Sequence, residues 1–247
     1  MSAVLVTGAA KRLGRAIALK LAGDGYDVAI HYRSSKADAE AVANEVKRLG
    51  RRAVLVDGEL SNEAEMATIV PRAAAALGHL TALVNSASVF EDDRVETATR
   101  ATWDKHLNTN LRAPLVLSQG FAKQLPAGVN GGIVNIIDQQ VINLTPQFLS
   151  YTVSKAALWT LTRTLAQALA PHIRVNAVAP GPSLKAERQS QANFDAHVKA
   201  TLLQRSSEPG DIAGAVAYLM SAPAVTGQMI VVDSGQHLAW SQDKFFE

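Results

Sequence analysis

"VLVTGAAKRLGRAIA", residues 4–18, runs from a β-branched stretch through Gly8 into an Ala- and Leu-rich stretch of helical period that opens near Leu13. A glycine between a strand and a helix lets the backbone approach a pyrophosphate, whose charge then meets the positive end of the helix. The stretch departs from the ordinary GxGxxG fingerprint: Gly8 and Gly14 stand, with Arg12 where a middle glycine is expected. Taken alone, it is also compatible with a strand-to-helix turn that holds no ligand.

The same rhythm continues along the chain. Apolar runs predict strands at Ala3 to Thr7, Val28 to Tyr32, Ala53 to Val56, Ala82 to Val84, Ile133 to Ile137, Arg174 to Val178 and Met229 to Val232. Helical periodicity fills the gaps at Leu13 to Gly23, Lys36 to Leu49, Asn62 to Leu77, a long pair from Thr99 to Gln124, Tyr151 to Ala170, and Pro209 to Met220. Strands apolar throughout need helices on both faces, which right-handed βαβ crossovers supply. The expected fold is a single α/β domain over residues 1–247, a Rossmann-type doubly wound sheet of about seven parallel strands. The polar stretch from Pro180 to about Ala200 breaks the rhythm and reads as an excursion over one edge, where lids and substrate walls arise.

Composition narrows the function. With 24 basic and 22 acidic residues interspersed, the net charge is +2, which disfavours nucleic acid and membrane surfaces as partners. The absence of cysteine removes disulfides, thiol catalysis and thiolate metal sites, and the six histidines fall at no metal-ligand spacing, so no metal is expected. No window is long and apolar enough for a membrane span and no signal segment is evident, which makes a cytoplasmic protein the expectation.

In a parallel sheet, ligands gather beyond the carboxyl ends of the strands, where Gly8, Tyr32, Ser86 and Asp138 fall. An NAD site wants a carboxylate after the second strand to hold the ribose. Here "IHYRSS" (30–35) offers Arg33, Ser34 and Ser35, with Lys11 nearby, and no carboxylate until Asp38. That chemistry suits a 2′-phosphate, so NADP(H) is favoured. Tyr151 and Lys155, one helical turn apart, form a candidate acid: the ammonium is expected to lower the phenol's pKa. Tyr–x–x–x–Lys pairs are common on helix surfaces, and position makes this one informative.

The motifs "TGAAKRLG", "NSAS", "NTNLRAP", "YTVSK" and "IRVNAVAPGP" stand here in order, and together the chain resembles the short-chain dehydrogenase/reductase family over essentially its whole length. The resemblance implies that Tyr151 is the acid, that Lys155 also holds the nicotinamide ribose, and that Asn110 kinks its helix and supports a proton relay. It implies cofactor contacts from Gly8, Lys11, Arg12, Leu13 and Gly14 in the turn and from His31, Tyr32, Arg33 and Ser34 after the second strand. Further contacts are implied for Glu59, Leu60, Asn85, Ala87 and Ser88, and for Pro180, Gly181 and Ser183 near the nicotinamide. A homotetramer built on the helices at 99–124 and 151–170 is also implied.

Most members of that family carry a serine thirteen residues before the tyrosine, and this chain carries Asp138. A serine hydroxyl can donate to a ketone oxygen that gains charge during hydride attack; an ionised carboxylate cannot, and would repel it. A carboxyl suits a nitrogen substrate instead, either as acceptor for N–H groups or, protonated, as a second donor beside Tyr151. Within the family the departure resembles the pteridine reductases and dihydromonapterin reductases, as do "HYRSS" and "NSASVF". That similarity implies a pteridine substrate held by Arg12, Ser88, Phe90, Asp138 and Tyr151, with Phe90 stacked on the pterin. Two alternatives stay open: a carbonyl reductase acting on 3-oxoacyl thioesters or small ketones, and an NADPH-binding regulatory protein without turnover. In "VDGELSN" (56–62) either Asp57 or Glu59 could meet adenine, and the tail "GQHLAWSQDKFFE" (235–247) is aromatic enough to be pinned somewhere.

Overall fold

The computed structural model describes residues 2–185 and 189–239. Seven parallel strands form one sheet in the order β3-β2-β1-β4-β5-β6-β7: β1 (Ala3–Val6), β2 (Asp27–Tyr32), β3 (Ala53–Asp57), β4 (Ala82–Asn85), β5 (Gly131–Ile136), β6 (Ile173–Pro180) and β7 (Met229–Val232). The strand order reverses between β1 and β4, and the crevice beyond their carboxyl ends is where such a sheet binds ligands.

Helices α1 (Arg12–Gly23), α2 (Lys36–Arg48) and α8 (Pro209–Ser221) cover one face, and α3 (Glu63–Leu77), α5 (Ala113–Gln124) and α6 (Leu149–Leu169) the other. The two-residue pleat sorts the core. On β1, Val4 and Val6 pack with Ile17, Leu21 and Val216, whereas Ala3 and Leu5 pack with Ile69, Leu83 and Phe121. Each large side chain so buried contributes about 1.5–3 kcal/mol.

The strands begin or end within a few residues of expectation. β5 starts two residues early because its glycines fit where side chains would not: a Cβ on Gly131 would stand 3.0 Å from the Phe121 ring, and one on Gly132 3.1 Å from the Met220 sulfur. Between α4 (Arg100–Leu107) and α5 the chain makes a π-turn, Asn108–Arg112. Such bulges widen a helix by one residue and recur at functional sites. One expectation is corrected: the excursion after Pro180 contains a helix, α7 (Gln191–Ala200), capped by the Ser190 hydroxyl accepting from the Asn193 amide. No residue of α7 is fully buried, so it carries no apolar stripe to reveal it.

Among the described residues no helix is long and apolar enough to cross a membrane, and no cluster of three metal-ligating side chains occurs. Residues 240–247 of the aromatic tail lie outside those described.

Candidate active site

The glycine turn after β1 is set by a buried histidine. Gly8 adopts φ +63°, and its amide donates to His31 Nδ1 at 3.2 Å, while His31 Nε2 lies 3.1 Å from the Gly58 carbonyl. The ring is therefore neutral with its proton on Nε2; burial drives its pKa down to about 4. His31, expected beside the cofactor, is only 2% exposed and acts through the turn it braces. The Thr7 hydroxyl oxygen accepts from the Ser86 and Ala87 amides at 2.9 and 3.0 Å, lacing the turn to the loop after β4. Gly14 is buried beneath the turn, where a Cβ would stand 2.2 Å from the Gly8 oxygen. Arg12, at φ +52°, extends its guanidinium away to the carbonyls of Leu184 and Lys185, 3.1 Å each, joining the turn to the segment after β6. Leu13 is partly buried and packs on the core.

Beyond β2, Lys11 pairs with Asp38 at 3.0 Å and Arg33 with Glu59 at 3.7 Å, all on the surface beside Tyr32 and Ser34. Of the two adenine candidates, Asp57 is engaged by Arg72, and Glu59 accepts from the Ser61 amide while facing Arg33. Leu60 is buried, and so is Asn85, whose side chain donates to Asn135 at 2.8 Å. Ala87 packs against Gly8, with 3.1 Å from its Cα to the position a Gly8 Cβ would take. Across the crevice, Pro180 ends β6 and Gly181 lies against Asp233, which leaves no room for a side chain: a Cβ would stand 2.5 Å from the Asp233 Cβ. The Ser183 hydroxyl donates to the Gly181 carbonyl at 3.1 Å.

At the end of β5, Asp138 and Tyr151 meet. The phenol donates to Asp138 Oδ2 at 2.8 Å, and Asp138 Oδ1 accepts from the Gln140 amide at 2.9 Å. Lys155 is buried, donates to the Ile136 carbonyl at 2.8 Å, and holds its ammonium 5.7 Å from the Tyr151 ring centroid. Burial governs all three groups. It raises the pKa of Asp138 against the opposing pull of Gln140, Tyr151 and Lys155, and lowers that of Lys155 to about 8. The expected lowering of the Tyr151 pKa by Lys155 is corrected: burial first, then the charge and hydrogen bond of Asp138, raise it well above the usual value. A carboxylate that accepts a hydrogen bond from the phenol stabilises the neutral phenol over the phenolate, so Tyr151 holds its proton at neutral pH and is a weaker acid than a free phenol.

Asn110 sits in the π-turn. Its carbonyl oxygen accepts from the Val89 amide (2.8 Å) and the Ser88 hydroxyl (3.2 Å), and its amide donates to the Val89 carbonyl and Ser154 Oγ, 3.0 Å each. The Phe90 ring, 46% exposed, stacks on Phe148 with centroids 4.5 Å apart and planes at 15°, and meets Tyr151 edge-on at 4.7 Å. A half-exposed aromatic ring thus borders the phenol. Phe148 and Asp93 went unnoticed in the sequence. Phe148, at φ 56°, precedes α6 without a side-chain cap, and Asp93 serves in its place, accepting from the Ser150 amide at 2.9 Å. The lack of a Ser, Thr, Asp or Asn at position 148 was the available signal.

Residues 8–237 match a family model described as enoyl-(acyl carrier protein) reductase, one of the short-chain dehydrogenase/reductase models. Among solved structures, FolM alternative dihydrofolate reductase 1 from Brucella canis, complexed with NADP, is similar at 45% identity and a TM-score of 0.94, covering 98% of this chain and 96% of that one. A blue fluorescent protein from a metagenomic library, in complex with NADPH, is similar at 33% identity and TM-score 0.89, over 95% of this chain and 97% of its own. Among curated sequences, the 3-oxoacyl-(acyl-carrier-protein) reductase FabG of Staphylococcus epidermidis (strain RP62A) is 34% identical over 95% of this chain and 98% of its own.

Proposed function

The chain belongs to the short-chain dehydrogenase/reductase family, and we propose that it is an NADPH-dependent reductase of a pteridine, acting on a C=N bond of a dihydropterin or dihydrofolate. The donor set fits the cofactor: a glycine turn at positive φ, Arg33 and Lys11 exposed after β2 and in the turn, and no carboxylate where NAD would need one. Gly8, Arg33 and Ser34 would hold its phosphates, with Lys155 and Tyr151 at its ribose. The cofactor, when bound, supplies a hydride.

The residues' own work is proton delivery and orientation. The observation that carries the reading is the 2.8 Å hydrogen bond between Tyr151 and Asp138. In a carbonyl reductase a hydroxyl at position 138 would donate to the substrate oxygen; here a carboxyl occupies that place, and any negative charge on it opposes a developing alkoxide. A ring nitrogen reverses the requirement: it gains a proton from Tyr151, and neighbouring N–H groups donate to Asp138. The half-exposed Phe90 ring, beside the phenol, would pack against the heterocycle. The 45% identity to an alternative dihydrofolate reductase supports the same class. A second reading, reduction of 3-oxoacyl thioesters, is favoured by the similarity to FabG.

NADPH absorbance followed with dihydropterins, dihydrofolate and a carbonyl panel separates the two. The expected result is turnover of a dihydropteridine, with Asp138→Ser slower by about 100-fold on it. Full pteridine activity in Asp138→Ser would overturn the reading, as would turnover confined to carbonyls.

A further inference from the structure

Tyr151 lies between two hydrogen bonds that join α4 and the π-turn to α6, one helical turn apart. His106 Nδ1 is 2.7 Å from Ser150 Oγ, and Asn110 Nδ2 is 3.0 Å from Ser154 Oγ; all four residues are fully buried. The same two residues hold the chain on either side of Phe90. Asn110 binds both polar groups of the Val89 backbone, and His106 Nε2 accepts from the Glu91 amide at 3.2 Å. Because Nε2 accepts, the neutral ring carries its proton on Nδ1 and donates it to Ser150, whose hydroxyl donates in turn to Asp93 at 2.5 Å. A serine that gives its proton to a buried carboxylate is no nucleophile, so the trio does not form a hydrolytic site.

We propose that His106 is a positioning residue that sets the proton donor Tyr151 against the aromatic wall Phe90, acting on the first through Ser150 and on the second through Glu91. Asn110 anchors the far side of each. His106 fills the near side, and its two ring nitrogens make the two connections separately. The inference rests on the roles proposed above for Tyr151 and Phe90.

The two connections can be cut one at a time. His106→Asn keeps an N–H where Nδ1 stands and loses the acceptor for Glu91; it should raise KM for the dihydropteridine about tenfold with kcat nearly unchanged. His106→Gln keeps an acceptor near Nε2 and loses the bond to Ser150; it should lower kcat about tenfold with KM nearly unchanged. Ser150→Ala, which alters no packing volume of note, should follow His106→Gln. Equal effects of the Asn and Gln variants, or losses that merely track the folded fraction in a thermal melt, would overturn the proposal. Turnover of 3-oxoacyl thioesters alone would defeat the pteridine reading, while a kcat loss for His106→Gln on that substrate would still uphold the link to Tyr151. Wild-type turnover of neither class would overturn both.

Discussion

Acid should weaken the fold at His31, and the effect can be sized. Its folded pKa is about 4 against an ordinary 6.5, because a buried ring would have to take up charge without water. Between those values only the unfolded chain binds the proton, so stability is complete above about pH 6.5 and falls as the pH drops toward 4. At pH 4.5 the loss amounts to about 2.5 kcal/mol. A proton on Nδ1 would also face the Gly8 amide, a donor against a donor, so the glycine turn is the part that gives way. Asp27 and Asp93, whose burial is outweighed by their hydrogen bonds to Arg52 and Ser150 so that both are held low, lose their contribution mainly below the ordinary carboxylate value of 3.8, and a comparison removes what little of it is lost at pH 4.5. His31→Asn retains an acceptor for Gly8 but strands the Gly58 carbonyl, which should cost about 1–3 kcal/mol at pH 7.5. Urea unfolding followed by tryptophan fluorescence at pH 7.5, 6 and 4.5 should show the difference moving by about 2.5 kcal/mol in favour of the variant toward pH 4.5, closing or reversing the gap. A gap constant with pH would show that His31 does not titrate as argued.

Two further substitutions probe the cofactor side. Gly14→Ala forces a Cβ to within 2.2 Å of the Gly8 oxygen, so the helix must back away from the turn; a loss of at least about 1–3 kcal/mol in a thermal melt and weaker NADPH fluorescence enhancement are expected. Arg33→Asp places a carboxylate after β2, where Arg33 is now largely exposed, and should raise the NADPH KM about 100-fold while improving that for NADH; an unchanged ratio of the two would remove Arg33 from the 2′-phosphate site.

The elements that sequence patterning revealed are those with a strong local signal. β1 and β4 carry core residues on both faces, and α1 and α8 show buried stripes, so period alone marks them. Helix α7 stayed hidden because it buries nothing fully, and only its Ser190 cap was available to betray it. In the candidate site, Tyr151, Lys155 and Asp138 were legible from spacing, and the structure brings them together. His106 and Ser150, 44 residues apart, carry no shared sequence signal. Their four-residue spacings to Asn110 and Ser154 become meaningful only when α4 and α6 lie side by side.

What the sequence by itself determined was the order of strands and helices, the glycine turn ahead of α1, and the presence of a carboxyl thirteen residues before a tyrosine. Those follow from near neighbours in the chain, since period, capping and turn chemistry act over a few residues. Only the tertiary structure decided what the carboxyl does. Burial raises Asp138 and lowers Lys155, and Tyr151 keeps its proton on the side of Asp138 instead of yielding it toward Lys155. The physical reason is that desolvation depends on which distant segments exclude water from a group.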